Sequence, residues 1–175
     1  MNRLSIKKLN VILLTSVFIS ACSSSTNNKN TNIVEDKFTW NVQLASYDYS
    51  KYDEKGEITL EKFLVEFENF PWIEQLEKYN EIKKGCSPTL SVKDNKTGTD
   101  FWVSMLGDKD ENGYLVGYVY PKKVKGFLGF GKSKEKRWVE IYLTQDVEIV
   151  KQCFALFFNR ETEKLITTIS FIFAL

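Results

Sequence analysis

Positions 38–44 alternate: Phe38, Trp40, Val42 and Leu44 are apolar, while Thr39, Asn41 and Gln43 are polar. A period of two containing two aromatics predicts a half-buried strand. Residues 46–57 are polar, dotted with Tyr47, Tyr49 and Tyr52, and read as a loop. The period then turns helical. Leu60, Phe63, Leu64, Phe67 and Phe70 fall on one helix face, with Thr59 placed to cap its start. Pro71 ends that helix and suits the opening of a second over residues 71–84, which turns Trp72, Ile73, Leu76 and Tyr79 inward. Lys83-Lys84-Gly85 supplies its stop.

From Pro88 the period returns to two. Strands are predicted at residues 89–93, 101–106, 114–120 and 137–144, and the turn-rich segments 94–98 and 107–113 join the first three. Residues 146–158 gather Ile149, Val150, Cys153, Phe154 and Phe157 on one helical face. Beyond Asn159-Arg160, Leu165, Ile166, Ile169, Ile172 and Phe173 fit a further helix, with a strand over the β-branched run 166–172 as the alternative. The expected fold class is α+β: an antiparallel β-sheet meander with helices packed on one face, in a single globular domain over residues 37–175.

The N-terminus follows a different pattern. Residues 1–21 read as an export signal, with a basic start (Arg3, Lys7, Lys8), an apolar run over residues 9–19, and small residues before Cys22. The run falls short of the roughly 20 apolar residues that span a bilayer. Ile19-Ser20-Ala21-Cys22 resembles the lipobox of bacterial lipoproteins, which implies lipidation of Cys22 and anchoring of the chain to a membrane through its acyl chains. The plainer alternative is an ordinary signal or anchor with a chance cysteine. By the same resemblance, Ser23 after the cysteine favours the outer membrane, facing the periplasm, if the source is Gram-negative. Residues 22–36 are small and polar and are expected to form a flexible tether with a reach of roughly 20 Å.

Composition narrows the chemistry. The 175-residue chain has no histidine, which removes His-based triads, Cys–His dyads and imidazole metal sites. No phosphate loop, dinucleotide fingerprint or zinc spacing is present, so the reading is a non-enzyme with no cofactor and no metal; acid–base chemistry by a carboxylate pair, which needs no local motif, is the alternative. Asp108-Lys109-Asp110-Glu111-Asn112-Gly113 lacks the ligand order of a calcium loop and reads as a charged turn. Residues 22–175 carry 21 basic and 23 acidic side chains, which argues against general nucleic-acid binding. Cys86 and Cys153 are a candidate disulfide in an oxidising compartment. Against this, Cys153 sits on an apolar helix face, where a free thiol behaves as a small hydrophobe.

The charges are also segregated. Residues 35–81 hold 12 acids and 5 bases, whereas residues 122–137 hold 7 bases and a single acid. The basic stretch encloses the glycine- and aromatic-rich segment 126–131. Candidate partner-binding residues are therefore Tyr47, Tyr49, Tyr52, Asp53 and Glu54 on the acidic side, with Asp48, Glu57 and Glu61 adding charge. On the basic side they are Lys122, Lys123, Lys125, Phe127 and Phe130. For Phe127 the plainer reading is a hairpin residue that caps the sheet core.

Several segments in order carry a family likeness: Phe70-Pro71-Trp72, Ser87-Pro88-Thr89-Leu90, Phe101-Trp102-Val103-Ser104, Tyr114-Leu115-Val116-Gly117, Arg137-Trp138-Val139-Glu140 and Phe154-Ala155-Leu156-Phe157. Together they resemble small immunity proteins of bacterial toxin–immunity and type VI secretion loci. The resemblance implies a protein that binds and occludes a cognate toxin, and it carries no catalytic residues. The lipobox departs from that pattern and would place the encounter in the cell envelope. The alternative function is a structural or assembly lipoprotein of the envelope.

Overall fold

The computed structural model describes residues 37–124 and 134–171, the last of these in its backbone alone. The expected signal and tether, with Cys22, lie outside these residues, as do Lys125, Phe127, Phe130, Ile172 and Phe173. The described part is one α+β domain: a six-stranded antiparallel sheet with four helices. The strands are β1 (Phe38–Gln43), β2 (Asp53–Ile58), β3 (Thr89–Asp94), β4 (Thr99–Gly107), β5 (Asn112–Val124) and β6 (Lys134–Thr144). The helices are α1 (Leu60–Asn69), α2 (Trp72–Ile82), α3 (Val147–Phe158) and α4 (Thr162–Phe171).

The sheet order is β2-β1-β3-β4-β5-β6. Strands β3 to β6 form the expected meander, and β1 adds to its edge through β3. Strand β2 corrects the loop reading of residues 46–57: Asp53–Ile58 pairs with β1, with a bulge between Trp40 and Asn41. Its sequence, DEKGEI, lacks alternation because it is an edge strand exposed along most of its length. Edge strands of this kind carry charge, which discourages pairing with other chains.

Local chemistry sets the helix ends. Thr59 accepts from the Lys62 N–H at 3.5 Å to cap α1, and Asp146 accepts from the Glu148 N–H at 2.8 Å to cap α3. Lys83 takes up a left-handed conformation, and its N–H donates to the Tyr79 carbonyl to close α2. Over residues 162–171 the helix prevails over the strand alternative, burying Leu165 and Ile169 four residues apart.

One face of the sheet meets the helices through aromatics. Phe63 and Phe67 of α1 and Phe154 of α3 are fully buried, and the Phe63 and Phe154 rings lie 4.5 Å apart. Phe101 of β4 meets Phe154 edge-on at 4.8 Å. Burying each such side chain stabilises the fold by about 1.5–3 kcal/mol. A second fastening joins the β3–β4 turn to the α3–α4 link. Asp94 is fully buried and receives Arg160 in a two-pronged bond, at 2.7 and 3.2 Å. The Arg160 guanidinium also lies 4.9 Å from the Phe38 ring. Burial pushes the Asp94 carboxyl up, but Arg160, the Lys96 N–H and Thr97 more than offset this and hold it below the usual carboxylate range. Among the described residues no helix is long and apolar enough to cross a membrane.

Candidate binding surface

Strand alternation gives the sheet a second face, turned away from the helical core. On β4 it carries Asp100, Trp102 and Ser104, the neighbours of core residues Phe101, Val103 and Met105. Register extends it across β5 and β6 through Leu115–Leu143, Gly117–Ile141 and Val119–Val139. On the edge strand β6, Val139, Ile141 and Leu143 are 43%, 41% and 58% exposed. A row of aliphatic side chains on an edge strand is a surface that attracts a partner.

Trp102 sits beside this row, directly opposite Gly117. A Cβ at position 117 would lie 2.2 Å from Cε2 and Cζ2 of the indole. Only glycine there lets the ring settle on the sheet, an arrangement in which an aromatic shields a bare strand position. The same face carries the Arg137–Asp100 ion pair.

Strands β5 and β6 run on together as a two-stranded arm in which Lys122, Lys123 and Val124 pair with Lys136, Glu135 and Lys134. On its other face Trp138 Nε1 and Tyr120 OH both donate to Glu140 Oε1 at 3.0 Å, and the Lys122 ammonium sits 4.3 Å from the Trp138 ring. Burial, then the bond to Glu140, raises the Tyr120 pKa. Of the basic candidates, Lys122 and Lys123 therefore lie on an exposed arm, with Lys122 stacked on Trp138.

The acidic candidates occupy the opposite edge of the sheet. Tyr47 OH donates to Asp53 at 3.0 Å, which raises the Tyr47 pKa, and Lys51 lies 4.0 Å over the Tyr47 ring. Tyr49 and Tyr52 project into solvent, as does Glu54 on β2. Asp48 lies in the same exposed loop; Glu57 pairs with Lys37 at 2.6 Å, and Glu61 lies in the first turn of α1. The fold thus sets the two charge groups on opposite edges, β2 and β6, rather than in one site.

Where the tyrosine loop overhangs the second face, a shallow hollow of about 410 Å³ opens. Trp102, Ser91, Ser104 and Thr89 line it from the sheet, with Tyr49 and Tyr79 at its walls. Thr89 and Ser104 share a hydroxyl–hydroxyl bond of 2.6 Å. The rim is tied down: Gln43 Nε2 donates to the carbonyls of Tyr49 and Lys51, and the Cys86 N–H donates to that of Tyr47. Gly85 is required at the join, having φ +92 and room for no side chain against the Tyr47 carbonyl.

Cys86 lines the hollow, half-buried, and Cys153 is buried in the helical core. Both thiols are free, so the disulfide considered from sequence is not formed. Burial, with the Asp48 charge, raises the Cys86 pKa, and burial pushes Cys153 up to about 11. Neither is activated as a nucleophile. A larger hollow of about 520 Å³ lies at the start of α1, its walls including the Lys37–Glu57 pair. Among the described residues no three His, Cys, Asp or Glu side chains gather to hold a metal.

Sequence reasoning missed both the aliphatic row and the hollow. The signal for the first was present in the alternation of Val139, Ile141 and Leu143, which reads equally well as a core face. For the second it was Thr89, Ser91, Trp102 and Ser104, the polar-side positions of two predicted strands. Compared with protein families, curated proteins and solved structures, the chain matches none of them.

Proposed function

We propose that this chain is a lipid-anchored binding protein of the bacterial cell envelope, an immunity protein that neutralises a cognate toxin by covering it. The observation that carries the reading is the exposed aliphatic row of β6, beyond which the same face carries the Arg137–Asp100 pair and Lys123 opposite Glu135. An apolar row bordered by charges of both signs suits a partner protein whose docking patch is apolar with a polar rim. The acidic, tyrosine-bearing β2 edge, at the far side of the sheet, would attract a basic region of the same partner over a longer range. The lipobox-like Ile19-Ser20-Ala21-Cys22 supports membrane attachment through Cys22, and the ordered resemblance to immunity proteins supports neutralisation.

Two experiments test this. Cys22→Ser should abolish metabolic palmitate labelling and release the protein from membranes; continued labelling would overturn the anchor. The tagged full chain should hold a single secreted protein through a high-salt wash, and that protein should be toxic when exported alone and harmless when co-expressed with this chain. Loss of envelope integrity on deletion in pure culture, with no such toxin, would favour the assembly lipoprotein instead.

A further inference from the structure

We propose that the hollow beside Trp102 is a binding site for a neutral saccharide, with the indole as its stacking platform. This inference is independent of the partner-covering surface on β6. None of the ten residues around the hollow is charged, so a charged ligand would find no counter-ion in the lining. Its chemistry is that of hydroxyls, phenols, one amide and one large aromatic.

Ser91 is the direct cross-strand neighbour of Trp102, and Thr89 is that of Ser104, so hydroxyls flank the indole on the sheet. Ser91 Oγ, Tyr79 OH and Trp102 Nε1 have no hydrogen-bond partner among the described residues. A hydroxyl both donates and accepts, as do the hydroxyls of a sugar, and the two sets can satisfy each other without any change of charge. The indole is seated on Gly117 and cannot sink further into the sheet. Its ring face is negative and attracts the weakly positive C–H edge of a pyranose. The pinned rim means the site is formed before the ligand arrives.

The test is calorimetric titration of the full chain, in a detergent without a sugar headgroup, with two probes: the trimer of N-acetylglucosamine and maltotriose. At least one should bind saturably below ~10 mM. Binding of the first alone would mark a preference for amide-bearing sugars such as those of the cell wall. Binding of maltotriose would mark a general hexose site. Trp102→Ala should weaken the interaction at least about tenfold, and Trp138→Ala should leave it unchanged. Because Trp102→Ala bares the sheet, Ser91→Leu provides a second variant that removes the hydroxyl beside the indole and fills the hollow with a bulky aliphatic side chain. It should lose the sugar, keep its thermal unfolding midpoint and still bind the partner protein. Failure of both probes to bind, or wild-type affinity in Trp102→Ala, would overturn the proposal.

Discussion

On β4 the side chains of Phe101, Val103 and Met105 enter an aromatic core, while Asp100, Trp102 and Ser104, alternating with them, stand on the opposite face. The same contrast runs along β6, where Tyr142 is buried and its neighbours Ile141 and Leu143 are exposed. The covered face is mostly aromatic and aliphatic, with the Asp94–Arg160 pair at one margin, whereas the open face divides into hydroxyls around Trp102 and aliphatics toward the β6 edge. Burial against helices accounts for the first face. It does not account for the second, where Val139, Ile141 and Leu143 stay exposed although Ser104 is buried by its neighbours.

Substitutions should separate the two faces. Phe154→Ala removes a ring packed against Phe63, Phe67 and Phe101 and should cost about 3–5 kcal/mol in denaturant unfolding. Arg160→Ala leaves Asp94 buried without its main partner and should cost about 3 kcal/mol, the low end for a broken buried pair, because Arg160 is partly exposed. That pair also sets an acid response. Since the Asp94 carboxyl is held below its ordinary value, its stabilisation is complete above the unfolded-state pKa of about 4 and is lost as pH falls through the folded value. Asp94→Asn should start less stable and show a shallower loss of stability below about pH 4 in thermal melts.

On the open face the effects should be smaller. Gly117→Ala pushes the indole off the sheet and should cost about 1 kcal/mol, with a change in tryptophan emission as the ring meets water. Leu143→Thr removes an exposed aliphatic and keeps a good strand former, so its unfolding free energy should move by less than about 0.5 kcal/mol. A loss as large as that of Phe154→Ala would mean that the open face is part of the core after all.

The helical face of the fold was legible because its signals are local and redundant. Phe63 and Phe67 repeat at the helical period behind a Thr59 cap, and Phe154 and Phe157 do the same behind Asp146. Strand β2 was not legible, since an exposed charged edge strand has neither alternation nor apolar content, and only its pairing with β1 reveals it. The binding surface was half legible. Alternation marks Val139, Ile141 and Leu143 as sharing a face but cannot say whether helices cover it. The tyrosines and lysines were found individually, yet nothing in their spacing shows that β2 and β6 end up as opposite edges. Trp102 depends on Gly117, which becomes its neighbour only through strand register.

The most direct test of the account is partner binding by the Ile141→Thr/Leu143→Thr double variant, with its denaturant unfolding measured alongside. Its unfolding free energy should stay within about 1 kcal/mol of the parent, and its affinity for the proposed protein partner should weaken at least about tenfold. A folded double variant that binds that partner as tightly as the parent would contradict a role for the β6 row in recognition.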